Sequence, residues 1–122
     1  MKSFLIVLSL IFSIHFIGNA QIIKLKSVEG FVQTEDYVKL HYQILGQGQD
    51  TIVVIHGGGV FGSAYLVPDL TPLAAHHVLV FFDQAGAGYS TVVKDTTRYS
   101  INNTIKDIEV IRKHFNLRKL NL

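Results

Sequence analysis

The chain predicts an α/β fold: an N-terminal β-hairpin, then a βαβα run that builds a mostly parallel sheet. Three observations carry this. Two apolar runs, Thr51 to Ile55 and Val78 to Phe82, are continuous and mostly β-branched or aromatic, with no polar alternation. Strands buried on both faces read this way, and such strands belong to parallel sheets covered by helices. Ahead of them, Tyr37, Lys39, His41 and Gln43 alternate with Val38, Leu40, Tyr42 and Ile44, the period of a half-buried strand. After them, Ile101, Ile105, Ile108, Ile111 and Phe115 fall on one stripe at helical spacing.

The elements follow in order. Residues 1–20 read as a secretory signal peptide, with Lys2 as the positive n-region and Phe4 to Ile17 as the apolar stretch. Gly18-Asn19-Ala20 places small residues at −3 and −1, so cleavage is expected after Ala20. The stretch is shorter than the about 20 apolar residues of a spanning helix, so no stable membrane anchor is expected after cleavage. The domain is expected to occupy residues 21–122. Val28 to Thr34 and Tyr37 to Leu45 form the hairpin, with Glu35-Asp36 at its turn, and Gly46 to Asp50 is a loop. Tyr65 to Ala75 is expected to form a short helix joining the two buried strands. Ser100 is expected to N-cap the last helix, with Asn102, Lys106, Asp107, Arg112 and Lys113 on its outer face and Asn116 as its stop. Leu117 to Leu122 looks like the approach to a further strand, so the fold is expected to be incomplete, cut before that strand.

Composition narrows the function classes. The chain has 122 residues, 11 Lys+Arg against 9 Asp+Glu, 16% charged residues and no cysteine. Removing the leader with Lys2 leaves 10 − 9 = +1, too little to imply a nucleic-acid partner. The absence of cysteine excludes a disulfide scaffold, a thiol nucleophile and a zinc finger. The six histidines show no metal-ligand spacing, so no metal site is expected. His41 sits on the polar phase of its strand, and adjacent His76 and His77 would point to opposite faces of a strand.

Two motifs carry the chemistry. His56-Gly57-Gly58-Gly59 follows the buried strand Thr51 to Ile55 directly. A glycine turn at the C-terminal end of a parallel strand leaves backbone N–H groups that can stabilise an oxyanion. No Lys follows, so it is not a P-loop. Asp83-Gln84-Ala85-Gly86-Ala87-Gly88-Tyr89-Ser90 follows the second buried strand. A dinucleotide fingerprint would need Gly where Thr91 stands, and no helix opens there. Gly88-Tyr89-Ser90-Thr91-Val92 nearly matches the nucleophile elbow G-x-S-x-G, but Val92 replaces the last Gly and the helix is missing. Ser90 therefore reads as a turn residue, and His56 as a structural opening to the turn.

Strand, HGGG, helix, strand and DQxGxGxS, preceded by a hairpin, resemble the N-terminal part of an α/β-hydrolase, most like the proline iminopeptidase branch with its HGGPG and DQRGxGxS motifs. The resemblance runs from about Val28 to Leu122. It implies a serine hydrolase of aminopeptidase or esterase type acting on a small peptide or ester, with no cofactor. Gly58, with Gly59 beside it, would supply an oxyanion-hole N–H. Asp83, Gln84, Gly86, Gly88 and Ser90, with His56 and Gly57 facing them, would be structural. Gly59 stands at the family proline, Val60 at the following glycine and Ala85 at the family arginine, so proline specificity is not implied. The Ser-Asp-His triad would follow later strands, so none of it is expected in this chain, which would need a missing C-terminal half and be inactive alone. In that sheet order Thr51 to Ile55 is left at or near an edge, and Val78 to Phe82 is expected to lose the helices covering one face. A non-catalytic binding or structural module on the same half-fold is the competing reading.

Overall fold

A computed structural model describes residues 25–58 and 60–122; the leader lies outside the described residues. Four strands form one mixed sheet: β1 (Ser27–Gln33), β2 (Lys39–Gly46), β3 (Thr51–Ile55) and β4 (Val78–Phe82), in the spatial order β1-β2-β4-β3. β1 and β2 pair antiparallel, with Phe31 opposite His41, and β2 pairs antiparallel with β4. β3 and β4 are parallel, with Ile55 beside Phe82, so both end at the same edge of the sheet. The hairpin joined to the parallel β3–β4 pair follows the element order that the sequence predicts.

The two buried strands lie where the sequence puts them, to the residue. The hairpin differs by one or two residues at its ends, because its turn runs through Glu35, Asp36 and Tyr37, with Tyr37 in the left-handed region at φ 64°. The connection between β3 and β4 is not one helix. It is a broken helical segment: a 3₁₀ turn at Ala64–Leu66, a single α-turn α1 (Val67–Leu70) and a second 3₁₀ turn at Thr71–Ala75. Pro68 and Pro72 each open one of these pieces, and proline lacks the N–H that would continue the preceding turn.

β4 is the centre of two cores. Val80 and Phe82 point to one face, where Val32, Leu40, Val53 and Ile111 are buried with them. Leu79 and Phe81 point to the other, against Leu45, Val54 and Ala74, with Leu66, Val67 and Leu70 packed around them. Both faces of β4 are therefore covered, contrary to the expected loss of one cover. The helix α2 (Ile101–His114) supplies the first face and the broken segment the second.

α2 starts where Ser100 caps it, its hydroxyl accepting the Asn103 N–H. It ends in a Schellman turn: Asn116 takes φ 53°, its N–H donates to the Lys113 carbonyl, and the Leu117 N–H donates to the Arg112 carbonyl. Its buried face departs from the predicted stripe. Ile111 is buried and Ile108 and Phe115 are partly so, but Ile101 and Ile105 are 79% and 58% exposed. Asp107, expected on the outer face, is 2% exposed. Its carboxylate receives two parallel bonds from Arg98, at 3.1 and 2.6 Å, and Arg98 Nε reaches Asp36 Oδ2 at 2.5 Å in the hairpin turn. One buried guanidinium thus joins hairpin, connecting loop and helix. Burial pushes the Asp107 carboxyl above the usual aspartate range, opposed by Arg98. The guanidinium cannot lose its proton, and both bonds from it require the carboxylate, so the pair stands ionised at neutral pH.

β3 is at the edge of the sheet. The residues that follow α2 return to it: the Val53 N–H donates to the Asn121 carbonyl at 2.8 Å and Asn121 Nδ2 to the Thr51 carbonyl at 3.0 Å, a parallel bridge. Among the described residues, no helix is long and apolar enough to cross a membrane.

Candidate functional site: the glycine turn after β3

Because β3 and β4 end together, the loops that leave them meet at one edge of the sheet. Residues 56–63 follow β3 and residues 83–90 follow β4. Asp83 joins them. Its side chain is buried, and Oδ1 accepts the Ser63 N–H at 2.6 Å and the Ser63 hydroxyl at 2.7 Å. Oδ2 accepts the Tyr89 N–H at 3.0 Å and faces His41 Nδ1 at 3.1 Å. Burial alone would raise this carboxyl, but the Tyr89 and Ser63 bonds and the neighbouring imidazole outweigh it and hold it below the usual aspartate range. Asp83 is therefore ionised and accepts from every partner.

The glycines around it have steric reasons. Gly62 and Gly88 take φ 69° and 51°, where only glycine is unstrained. A Cβ on Gly88 would lie 2.2 Å from Asp83 Oδ2, and one on Gly62 2.6 Å from Oδ1. The Gly88 N–H also crosses to the Val60 carbonyl at 2.9 Å, tying the two loops again. Gly86 lies under the Tyr99 ring.

His56 and Gln84 form a second link. The Gln84 N–H donates to His56 Nε2 at 3.0 Å, and the Gln84 side-chain amide donates to the His56 carbonyl at 2.7 Å. Nε2 accepts, so it carries no proton. Nδ1 therefore carries it and donates to the Gly57 carbonyl at 2.6 Å. Both ring nitrogens are occupied within the loops. Ser90 is occupied in the same way: its buried hydroxyl donates to the Asp83 carbonyl at 2.6 Å and accepts the His41 N–H at 2.9 Å. A hydroxyl held by these two bonds is a strut, not an exposed nucleophile.

Gly58 differs from these residues. It is exposed, a Cβ there would meet nothing within 4 Å, and its φ is not in the left-handed region. The Gly57 N–H donates to the Tyr65 hydroxyl at 3.2 Å; among the described residues the Gly58 N–H has no acceptor. Gly58 borders two clefts, one of about 460 Å³ shared with Val60, Gly86, Val92 and Tyr99, the other of about 600 Å³ shared with Phe61, Ala64 and Tyr65. Gly59 lies outside the described residues. A backbone donor bordering two open clefts, on a turn fixed from below, suits an anionic oxygen. Among the described residues no group of three His, Asp or Glu side chains is placed to hold a metal.

Some of the site is absent from the motifs. His41, assigned to a polar strand phase, is 9% exposed. The phase is right, because it shares a face with Gln43, but at this end of β2 that face lies against the Asp83 loop. Ser63 and Gly62, just beyond the HGGG run, belong to the site through Asp83; the only sequence signal for them is a Gly-Ser pair in an aromatic loop.

This geometry belongs to a known class. The profile of the alpha/beta hydrolase fold matches residues 50–122, and the chain belongs to that family. Within it the chain lies near the proline iminopeptidases. It is 36% identical to the proline iminopeptidase of Saccharolobus solfataricus over 78 residues, 63% of this chain and 24% of that protein. It is 28% identical to that of Lactobacillus acidophilus over 99 residues, 78% of this chain and 33% of that one. Among solved structures, a proline iminopeptidase-related protein from Thermus thermophilus superposes with a TM-score of 0.71 at 20% identity, covering 78% of this chain and 34% of its own. An esterase from Exiguobacterium antarcticum gives 0.65 at 20% identity, covering 74% and 32%. The chain thus spans a quarter to a third of the length of the curated relatives named here.

Proposed function

We propose that the chain is the N-terminal part of a secreted serine hydrolase of aminopeptidase or esterase type, and that its turn offers the Gly58 N–H, with Gly59 beside it, to the oxyanion of a small peptide or ester. The observation that carries this is the exposed Gly58 N–H, without an acceptor among the described residues, at the C-terminal end of β3. A donor held in place before charge develops stabilises the transition state without reorganising. His56, Gln84 and Asp83 hold the turn. The nucleophile, acid and base come from sequence outside this chain, the nucleophile after a strand laid along β3 where Asn121 already bridges Ile52. On this reading the 122-residue chain alone is expected to be inactive, and a fluorophosphonate is expected to leave Ser90 unlabelled. Secretion rests on the leader of residues 1–20.

The test is a graft. Residues 50–122 replace the matching segment of the Saccharolobus solfataricus enzyme, and turnover of prolyl amides and activated esters is compared with Gly58→Ala and Gly58→Pro grafts. Alanine keeps the N–H and clashes with nothing in the protein, so its loss of turnover is expected to be small beside that of proline and limited to hindered approach of the substrate oxygen. Proline removes the donor and is expected to lower kcat about 10²–10³-fold with KM little changed. A proline graft as fast as the parent would move the donor elsewhere. A graft that folds by circular dichroism but never turns over would favour the non-catalytic module.

A further inference from the structure

Tyr65 borders the same cleft of about 600 Å³ as Gly57 and Gly58. Its ring is half exposed, yet it is fixed at both ends. Its backbone belongs to the 3₁₀ turn Ala64–Leu66, closed by the Leu66 N–H on the Ser63 carbonyl at 3.0 Å. Ser63 is buried and bound twice by Asp83 Oδ1, and Leu66 packs against the core on that side of the sheet. At the other end, the Tyr65 hydroxyl accepts the Gly57 N–H at 3.2 Å. The ring therefore reaches from the Asp83 anchor to the glycine turn, and its oxygen is held at that turn.

A hydroxyl that accepts one bond still has its own proton to give. The Gly57 nitrogen is a donor, so the Tyr65 proton is turned away from it. Among the described residues that proton has no acceptor. Nor does a carboxylate stand among the described residues that line the cleft, and both ring nitrogens of His56 are engaged within the loops. Successive amide nitrogens lie within about 3.7 Å of each other, so the Tyr65 oxygen is at most about 7 Å from the Gly58 nitrogen. The Gly58 N–H and the Tyr65 O–H are thus neighbouring donors, each without an acceptor among the described residues, beside one cleft. Two such donors call for an oxygen from outside the chain.

We propose that the Tyr65 hydroxyl is a second donor to the oxygen that Gly58 binds, so that this chain offers the oxyanion one backbone N–H and one phenol O–H. The inference rests on the oxyanion role proposed for Gly58. The phenol keeps its proton throughout, and no bond is made or broken at Tyr65. Its hydrogen bond strengthens as negative charge gathers on the substrate oxygen. The Gly57 N–H donates to the same phenol oxygen and polarises its O–H, because hydrogen bonds in a chain reinforce one another. Gly57 then acts through Tyr65 as a positioning residue, and Tyr65 touches the reacting oxygen.

The test uses the graft of residues 50–122 and reads kcat and KM separately for prolyl amides and activated esters. Tyr65→Phe removes the donor and is expected to lower kcat about 10²-fold, with KM changed by less than about threefold. Phenylalanine also removes the acceptor of the Gly57 N–H, so a second variant separates the two roles. Tyr65→3-fluorotyrosine, placed by amber suppression, makes the phenol a stronger donor and a weaker acceptor. A kcat above that of the parent graft supports the donor; a kcat at or below it reduces Tyr65 to a prop for Gly57 and overturns the inference. The fluorinated variant decides alone where Tyr65→Phe fails to fold by circular dichroism. Gly58→Pro, measured alongside, separates the two proposals. If it loses turnover while Tyr65→Phe stays within about threefold of the parent, the Tyr65 inference fails and the Gly58 role stands. A parent graft without turnover, or a Gly58→Pro graft as fast as the parent, removes the Gly58 role and this inference with it.

Discussion

Gly88→Ala tests the role given to Asp83, and its cost can be worked from the coordinates. Gly88 takes φ 51°, and a Cβ there would lie 2.2 Å from Asp83 Oδ2 and 2.5 Å from its Cγ. The left-handed backbone alone costs a non-glycine residue about 1–2 kcal/mol. The close approach adds more, because the contact is over an ångström too short and the carboxylate is not the free end of a mobile chain. It is fixed by Ser63 on one oxygen and by Tyr89 and His41 on the other. Displacing it forfeits at least one hydrogen bond to a charged group, each worth about 1.5–3 kcal/mol. The expected loss is about 3–5 kcal/mol, a large share of the usual total of about 5–15 kcal/mol.

The assay is urea unfolding followed by tyrosine fluorescence, with Gly58→Ala as the control; its Cβ meets open space, so its change stays within about 0.5 kcal/mol. A double-mutant cycle isolates the cause. In an Asp83→Ala background the clash is gone, and Gly88→Ala should cost only the backbone term, about 1–2 kcal/mol. A Gly88→Ala single variant within about 1 kcal/mol of the parent, or equal costs in both backgrounds, would refute the reasoning.

Three further outcomes follow from the same structure. Arg98→Met leaves Asp107 buried without its partner and should cost about 3–5 kcal/mol, whereas replacing Arg98 and Asp107 together by Met and Leu should recover most of that in the same urea assay. Acid should weaken the fold through Asp83: its folded pKa is depressed, so its stabilisation is complete above the ordinary value of 3.8 and is lost as pH falls through the lower folded value. Asp83→Asn should flatten that part of a stability-versus-pH curve. On α2, Ile111→Ala should cost about 2–4 kcal/mol while Ile101→Ala stays within about 0.5 kcal/mol; equal costs would restore the stripe read from the sequence.

That last contrast marks where the sequence is a good guide and where it is not. β3 and β4 can be read to the residue, because a run buried on both faces has no phase to mistake. The ends of α2 are also legible, since Ser100 and Asn116 act on backbone groups within a few positions. The buried face of α2 is not, because it is set from outside the helix. Arg98 lies nine residues before Asp107 and reaches it only once residues 91–99 have folded back. Periodicity weighs an aspartate as solvent-facing and cannot see a partner supplied by a loop. The segment from Ala64 to Ala75 is misread for a simpler reason: its apolar content is right, but Pro68 and Pro72 interrupt the hydrogen bonding. His41 has the correct phase and the wrong environment, since whether a strand face meets water depends on what crosses it.

The glycines of the site divide into two kinds, and the division bears on function. Gly62, Gly86 and Gly88 are required by the protein itself: each takes a positive φ, and a Cβ on each would strike Asp83 or Tyr99 within 3 Å. The loops they belong to are closed by Asp83, Gln84 and Ser90, and no ligand is needed to account for them. Gly57 and Gly58 have no such requirement. Their Cβ atoms would meet only the Tyr65 hydroxyl at 3.5 Å and open space, and neither takes a positive φ. Packing would accept alanine at both positions, so the fold does not explain why the side chain is missing. What the missing side chain does is bare the backbone above two clefts, with the Gly58 N–H unengaged among the described residues. In the proposed oxyanion role, the internally required glycines would fix where that backbone sits, and the unrequired ones would leave room for a substrate oxygen to reach it.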